Sequence, residues 1–205
     1  MPVIDYFYTH VSPWAYLGHQ AFVDLAAAHG QEIRFRPVNL AGVFEVSGGL
    51  PLAKRHPVRQ AYRFVELQRW REKRGVPLTL KPTFFPADPT LADCCAIAVA
   101  EAGGPVTACS ARFFQAVWVE DLNIADEAVL AGLMQELGLD ADALLAAAGS
   151  EAIQEAYQEN QRHAIDLGVI GSPCYVLKGE PFWGQDRLDL LEDALVSGRD
   201  AFRPV

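Results

Sequence analysis

Ser12 stands where an apolar strand gives way to a helix, in the run Tyr8-Thr9-His10-Val11-Ser12-Pro13-Trp14-Ala15-Tyr16. Residues 3–8 are β-branched and aromatic, whereas Trp14, Leu17, Ala21, Leu25 and Ala28 recur at helical spacing, so the period changes across this serine. A serine there is a natural N-cap, and Pro13 suits the first helical position because its missing N–H would have had no partner. The helix dipole favours an anion at the same end, so a thiolate placed beside Ser12 would be stabilised. Capping alone also accounts for Ser-Pro at a helix start, and the motif by itself leaves both readings open. His10, two positions earlier, suits either proton transfer or burial as a structural histidine.

A second constellation lies far along the chain. Gly168-Val169-Ile170-Gly171-Ser172-Pro173-Cys174-Tyr175-Val176-Leu177 precedes Gly179-Glu180-Pro181-Phe182-Trp183-Gly184-Gln185-Asp186-Arg187-Leu188, which reads as loop, proline, strand, turn, strand and helix. Asp186 has the position of a helix cap. The cysteines are Cys94, Cys95, Cys109 and Cys174, and no C-x-x-C spacing occurs among them, so neither a zinc site nor a dithiol redox motif is written. Cys94 and Cys95 fall in an Ala-rich helical stretch as small hydrophobes, and Cys174 falls where a strand begins.

Charge is distributed unevenly. The net charge of −9 excludes a general nucleic-acid binder, yet eight of the seventeen Lys and Arg residues (Lys54, Arg55, Arg59, Arg63, Arg69, Arg71, Lys73, Arg74) fall between positions 54 and 74. Arg59 and Arg63 share a helix face and, with Lys54 and Arg55, form a candidate site for carboxylates. Arg69 to Arg74 read instead as a solvated face balanced by Glu66 and Glu72. With 205 residues, 51% hydrophobic and 21% charged, the chain can bury a sizeable core, and no apolar run has membrane-spanning length. No basic segment followed by an apolar stretch opens the chain, which places it in the cytoplasm without a membrane partner.

Both ends together, with Arg36-Pro37-Val38-Asn39-Leu40-Ala41-Gly42-Val43-Phe44 and Glu66-Leu67-Gln68-Arg69-Trp70 between them, resemble the 2-hydroxychromene-2-carboxylate isomerase family. Trp-Gly-Gln-Asp-Arg-Leu at 183–188 is the most specific part. That family is close to the kappa-class glutathione transferases and more distantly to the DsbA oxidoreductases. The resemblance implies a homodimeric, glutathione-dependent isomerase of an unsaturated aromatic keto acid. Ser12 would hold the glutathione sulfur as thiolate, a cis Pro173 would present the Ser172 main chain to the peptide, and Lys54, Gln185 and Asp186 would engage its ends. Trp14, Trp118 and Trp183, with His10, would line the acceptor pocket, although each tryptophan also suits core packing. A kappa-like transferase and a non-catalytic thioredoxin-fold binding module are the alternatives. The chain departs from the family pattern at Gly48-Gly49 in place of Gly-Asn, at Trp14 in place of Tyr or Phe, and at Cys174 in place of Thr.

The implied fold is α/β, a thioredoxin-like fold with a large all-helical insertion of the DsbA and kappa-class kind. Residues 1–44 and 169–205 form the discontinuous thioredoxin-like domain, and 45–168 the insertion. The first part holds a strand at 3–8, a helix at 13–29 and a strand at 32–38, a β-α-β unit whose parallel strands require a helical crossover. The last part holds strands at 174–178 and 181–184, joined by Lys178-Gly179-Glu180-Pro181, and a helix at 187–197. Within the insertion the pattern predicts helices at 57–74, 90–102, 105–119, 126–137, 140–147 and 150–167, punctuated by Gly75, Gly103-Gly104, Gly138 and Gly149.

Overall fold

Strict alternation in β1 (Val3–Tyr8) decides how the molecule is layered. In the computed structural model, which describes residues 3–205, Ile4, Tyr6 and Tyr8 enter the larger hydrophobic cluster, whereas Phe7 enters a smaller one on the opposite side. β3 (Cys174–Leu177) repeats the division: Tyr175 and Leu177 join the first cluster, Cys174 and Val176 the second. A strand buried on both faces must sit inside the sheet, and the strand order is β2-β1-β3-β4, with β2 at Glu32–Pro37 and β4 at Glu180–Trp183. β1 pairs in parallel with β2 (Tyr6 opposite Phe35) and antiparallel with β3 (Tyr6 opposite Tyr175). Tyr6 therefore stacks on Tyr8 at 4.4 Å and on Tyr175 at 5.4 Å, filling the middle of the larger core.

The β3–β4 connection is tighter than the sequence suggests. Lys178 and Gly179 both take positive φ (52° and 78°), the geometry of a two-residue hairpin turn, so β4 begins at Glu180. Pro181 is tolerated within β4 because that strand is an edge.

The parallel β1–β2 link is α1 (Pro13–Ala28), capped by the Ser12 hydroxyl, which accepts from the Ala15 N–H at 3.2 Å. α2 (Leu40–Ser47) has no counterpart among the helices read from periodicity; Asn39 caps its start and Gly48, at φ 75°, ends it. α3 (Pro57–Arg74), α4 (Thr90–Glu101), α5 (Val106–Trp118), α6 (Glu127–Glu136), α7 (Ala141–Ala148) and α8 (Glu151–Asp166) lie within a residue or two of expectation, as does the closing α9 (Leu188–Ser197). The larger cluster runs from Tyr6 and Tyr175 of the sheet into Cys95, Phe113, Leu130 and Tyr157 of the helical segment. The smaller cluster is closed by Val43 of α2 and Ala164 of α8. Among the described residues no helix is long and apolar enough to cross a membrane.

Candidate active site

The two segments singled out by sequence meet at the start of α1. Ser12 Oγ donates to the Ser172 carbonyl at 3.0 Å, and Ser172 Oγ accepts from the Thr9 N–H at 3.2 Å, so residues 160 apart in the chain are laced together. The Ser172–Pro173 bond is cis, and the Pro173 carbonyl accepts from the Gly184 N–H at 2.9 Å. Ser12 is 5% exposed and Ser172 7%, so little water reaches the hydroxyl that caps the helix.

The turn from Thr9 to Ser12 is held from the helical side as well. His10 Nδ1 lies 2.6 Å from Asp93 Oδ1, the His10 N–H donates to the same oxygen at 3.2 Å, and Tyr157 OH donates to Oδ2 at 3.2 Å. Burial, reinforced by Asp93, raises the Tyr157 phenol far above its ordinary range, so it stays a donor. Trp118 Nε1 donates to the His10 carbonyl at 3.0 Å. His10 and Asp93 are fully buried, and the imidazole sits among Tyr8, Phe113 and Phe114 at 5.0 to 5.4 Å, with Nε2 unpartnered. This placement gives His10 a structural task at the base of the turn.

The three tryptophans part company. Trp118 is fully buried and packs on Phe85, so of its two readings core packing is the one realised. Trp14 is half-buried and walls a groove of about 470 Å³ with Arg55, Val58, Arg59, Tyr62, Arg63 and Glu66. Trp183 is 52% exposed on the edge strand and lines a different depression, of about 520 Å³, with Arg199 and Phe202. Its ring also covers Gly171, where a Cβ would fall 2.4 Å from Nε1.

Lys54 closes a short 3-10 turn, Leu52–Lys54, and is exposed beside the groove-lining Arg55. Gln185 is 2% exposed, with its side-chain oxygen held by Arg74 Nε at 3.0 Å and Nη2 at 2.8 Å, and its carbonyl by Nη2 at 2.9 Å. Arg74 is thus no part of a solvated face: it leaves the surface to clamp the segment preceding α9. Arg69 does remain on that face, paired with Glu66. Asp186 is exposed and, among the described residues, pairs only with its neighbour Arg187, at 2.6 Å, which leaves its carboxylate accessible. At Gly49 a Cβ would stand 2.1 Å from Phe44 Cδ1, so the missing asparagine is a position the local packing has closed.

Burial raises the Cys94, Cys95, Cys109 and Cys174 thiols to about 12. At neutral pH each is protonated, and none can act as a thiolate nucleophile. Among the described residues no group of three or more His, Cys, Asp or Glu side chains is placed to hold a metal.

Asp93, Tyr157 and Arg74 are the residues of this region that sequence reasoning passed over. A lone acid inside the apolar run Leu91-Ala92-Asp93-Cys94-Cys95-Ala96-Ile97 was the available signal, since a buried carboxylate requires donors around it.

Comparison with known proteins agrees with this geometry. The DSBA-like thioredoxin domain model matches residues 3–196. A 2-hydroxychromene-2-carboxylate isomerase of Sphingobium xenophagum is 32% identical over 194 residues, 94% of this chain and 97% of that protein. A glutathione S-transferase kappa 1 of Caenorhabditis elegans is 24% identical over 95% of this chain and 91% of its own. A solved 2-hydroxychromene-2-carboxylate isomerase superposes with a TM-score of 0.82 at 30% identity, covering 95% of each chain. The chain belongs to the DSBA-like thioredoxin domain family and, within it, to the 2-hydroxychromene-2-carboxylate isomerase family.

Proposed function

We propose that this protein isomerises 2-hydroxychromene-2-carboxylate, or an unsaturated aromatic keto acid close to it, with glutathione as cofactor. The observation that carries the reading is the Ser12 hydroxyl, held at the N-terminus of a 16-residue helix and bonded across the fold to Ser172. Protonated cysteines give the chain no thiolate of its own, so thiol chemistry needs an outside thiol, and the kappa-class relative's name points to glutathione. The residues present fit that tripeptide: a hydroxyl proton free to turn from a carbonyl to a sulfur, and an accessible carboxylate at Asp186 for an ammonium group. Bound there, glutathione supplies a thiolate that adds to an activated double bond and leaves after rotation, restoring the bond in its other geometry.

The work of the chain is to keep that sulfur anionic and placed. Ser12 donates to it, and the positive end of α1 lowers its basicity further. A serine hydroxyl near its ordinary pKa is no nucleophile at neutral pH, so its part is donation. The Thr9–Ser12 turn holds the hydroxyl in position through Asp93, Tyr157 and Trp118. A homodimer, as the resemblance implies, and a cytoplasmic setting belong to the same proposal.

Removing Ser12's donor should cost about 10²–10³ in kcat/KM, the usual effect of losing one preorganised hydrogen bond to a developing or held anion. The test is isomerisation of the chromene acid by the wild type and Ser12→Ala with total thiol followed alongside. Turnover that needs glutathione without consuming it, and that collapses in Ser12→Ala, is the expected result. Consumption of thiol would make the protein a transferase, and thiol-independent turnover would remove glutathione from the reading.

A further inference from the structure

Arg63 is the most unusual charge in the molecule. It is 9% exposed, yet among the described residues it has neither a carboxylate nor a hydrogen-bonding partner. Its guanidinium carbon lies 5.8 Å from the Phe64 ring centre and 5.5 Å from that of Phe85, so two aromatic faces flank it. Burial, and next Arg55, lower its pKa to about 10, and burial with Arg59 lowers that of Arg55. Three arginines thus converge on one groove in a protein of net charge −9. The single acid on the groove, Glu66, is already paired with Arg69. The Arg63 stem is buried while its guanidinium nitrogens, absent from the sealed polar atoms, stay open at the groove with no carboxylate on them, the state in which an anion can be received.

The walls state what that anion is attached to. Trp14, Val58 and Tyr62 give the groove flat apolar surfaces, and about 470 Å³ accommodates a small aromatic acid. Glutathione has no ring to lay against them. Trp14 stands in the first turn of α1, two residues beyond the capping Ser12, so one helix start carries both a wall of the groove and the hydroxyl. We infer that Arg63, assisted by Arg55 and Arg59, binds the carboxylate of the acceptor substrate, selecting planar unsaturated acids over neutral or non-planar acceptors. This inference rests on the isomerase reading for the identity of the acceptor, whereas the anion site itself stands on the groove.

Calorimetry with trans-cinnamate, a planar unsaturated acid, and its neutral amide tests the groove without any turnover. Cinnamate should bind the wild type at least tenfold more tightly than cinnamamide. Arg63→Gln should weaken cinnamate at least tenfold while leaving cinnamamide and glutathione within twofold, and Arg59→Gln, at an exposed position, should weaken cinnamate about threefold. Because the Arg63 charge is unpaired, Arg63→Gln should melt no lower than the wild type. Equal binding of acid and amide, or no change in cinnamate affinity in either variant, would overturn the assignment. So would weakened glutathione binding with cinnamate unaffected, which would hand the groove to the tripeptide's carboxylate. Failure of the wild type to isomerise the chromene acid would strike the proposed activity and leave the cinnamate result standing.

Discussion

The Thr9–Ser12 turn and the Trp14 groove both draw on the start of α1, and they are built on opposite rules. In the turn the hydrogen bonds converge: Asp93 takes the His10 main-chain N–H, its Nδ1 and the Tyr157 hydroxyl, Trp118 takes the His10 carbonyl, and Ser172 ties both Thr9 and Ser12, with Thr9 Oγ1 and His10 Nε2 left over among the described residues. In the groove three guanidinium groups face one cavity, and Glu66, the acid beside them, is already held by Arg69. A cross-linked buried network fixes geometry, whereas like charges gathered on one groove repel one another until a ligand answers them. The first region is therefore read as the device that holds the hydroxyl still, the second as the device that waits.

If that contrast is right, damage to the turn must fall on folding before it falls on chemistry. Asp93→Ala leaves the His10 main-chain N–H, the imidazole and the Tyr157 hydroxyl without their acceptor in the core. Breaking such a buried cluster from one side costs about 3–5 kcal/mol, or a fall in Tm on the order of 10 °C for a chain of this length. Thermal melting of the variant beside Arg63→Gln sharpens the comparison: the first should lose most of its margin, the second none. Equal melting points would show that both regions carry the same structural weight.

The wired side of the molecule also has a pH signature. His19, 3% exposed on α1, has its pKa lowered to about 4, by burial and to a lesser degree by His10, against the partial compensation of the Thr107 carbonyl. Above pH 6.5 folded and unfolded chains are both neutral at this residue, and its full contribution is present. As pH falls from 6.5 towards 4, the unfolded chain takes a proton that the folded chain refuses, so stability declines by about 3 kcal/mol. Urea unfolding at pH 7 and pH 4.5 should reveal the loss, and His19→Leu should flatten that part of the profile. An unchanged slope in His19→Leu would assign the acid sensitivity to other groups.

What the sequence disclosed follows the same division. Ser12, Ser172 and Pro173 were legible because a change of period and a proline before a strand are local signals, and the helix limits followed from capping residues and glycines. Asp93, Tyr157 and Arg74 were not, since their tasks are set by partners 64 to 111 residues away. Arg74 even carried the sign of a surface residue, sitting in the basic stretch whose neighbour Arg69 is solvated. α2 escaped because its eight residues hold a glycine at 42 and too few turns for a period, although Asn39 and Gly48 marked its ends. The groove was half legible: the spacing of Arg59 and Arg63 was in the sequence, and the burial that leaves Arg63 unpaired was not.

The smallest expected effect concerns Gly49, on the segment that leads from α2 to the groove. If the absent asparagine were simply a lost contact, Gly49→Asn would tighten glutathione binding. The structure argues otherwise, because the new Cβ would stand 2.1 Å from Phe44 Cδ1 and force that ring aside. Overpacking of this kind costs roughly 1–3 kcal/mol. Gly49→Asn should therefore lower Tm by a few degrees and leave glutathione affinity within about twofold, while the pair Gly49→Asn with Phe44→Ala should regain part of the lost Tm. A single variant that binds glutathione more tightly at unchanged Tm would mean that Phe44 yields freely. Position 49 would then behave as an open contact, and the boundary drawn between a fixed turn and a waiting groove would have to move to include α2.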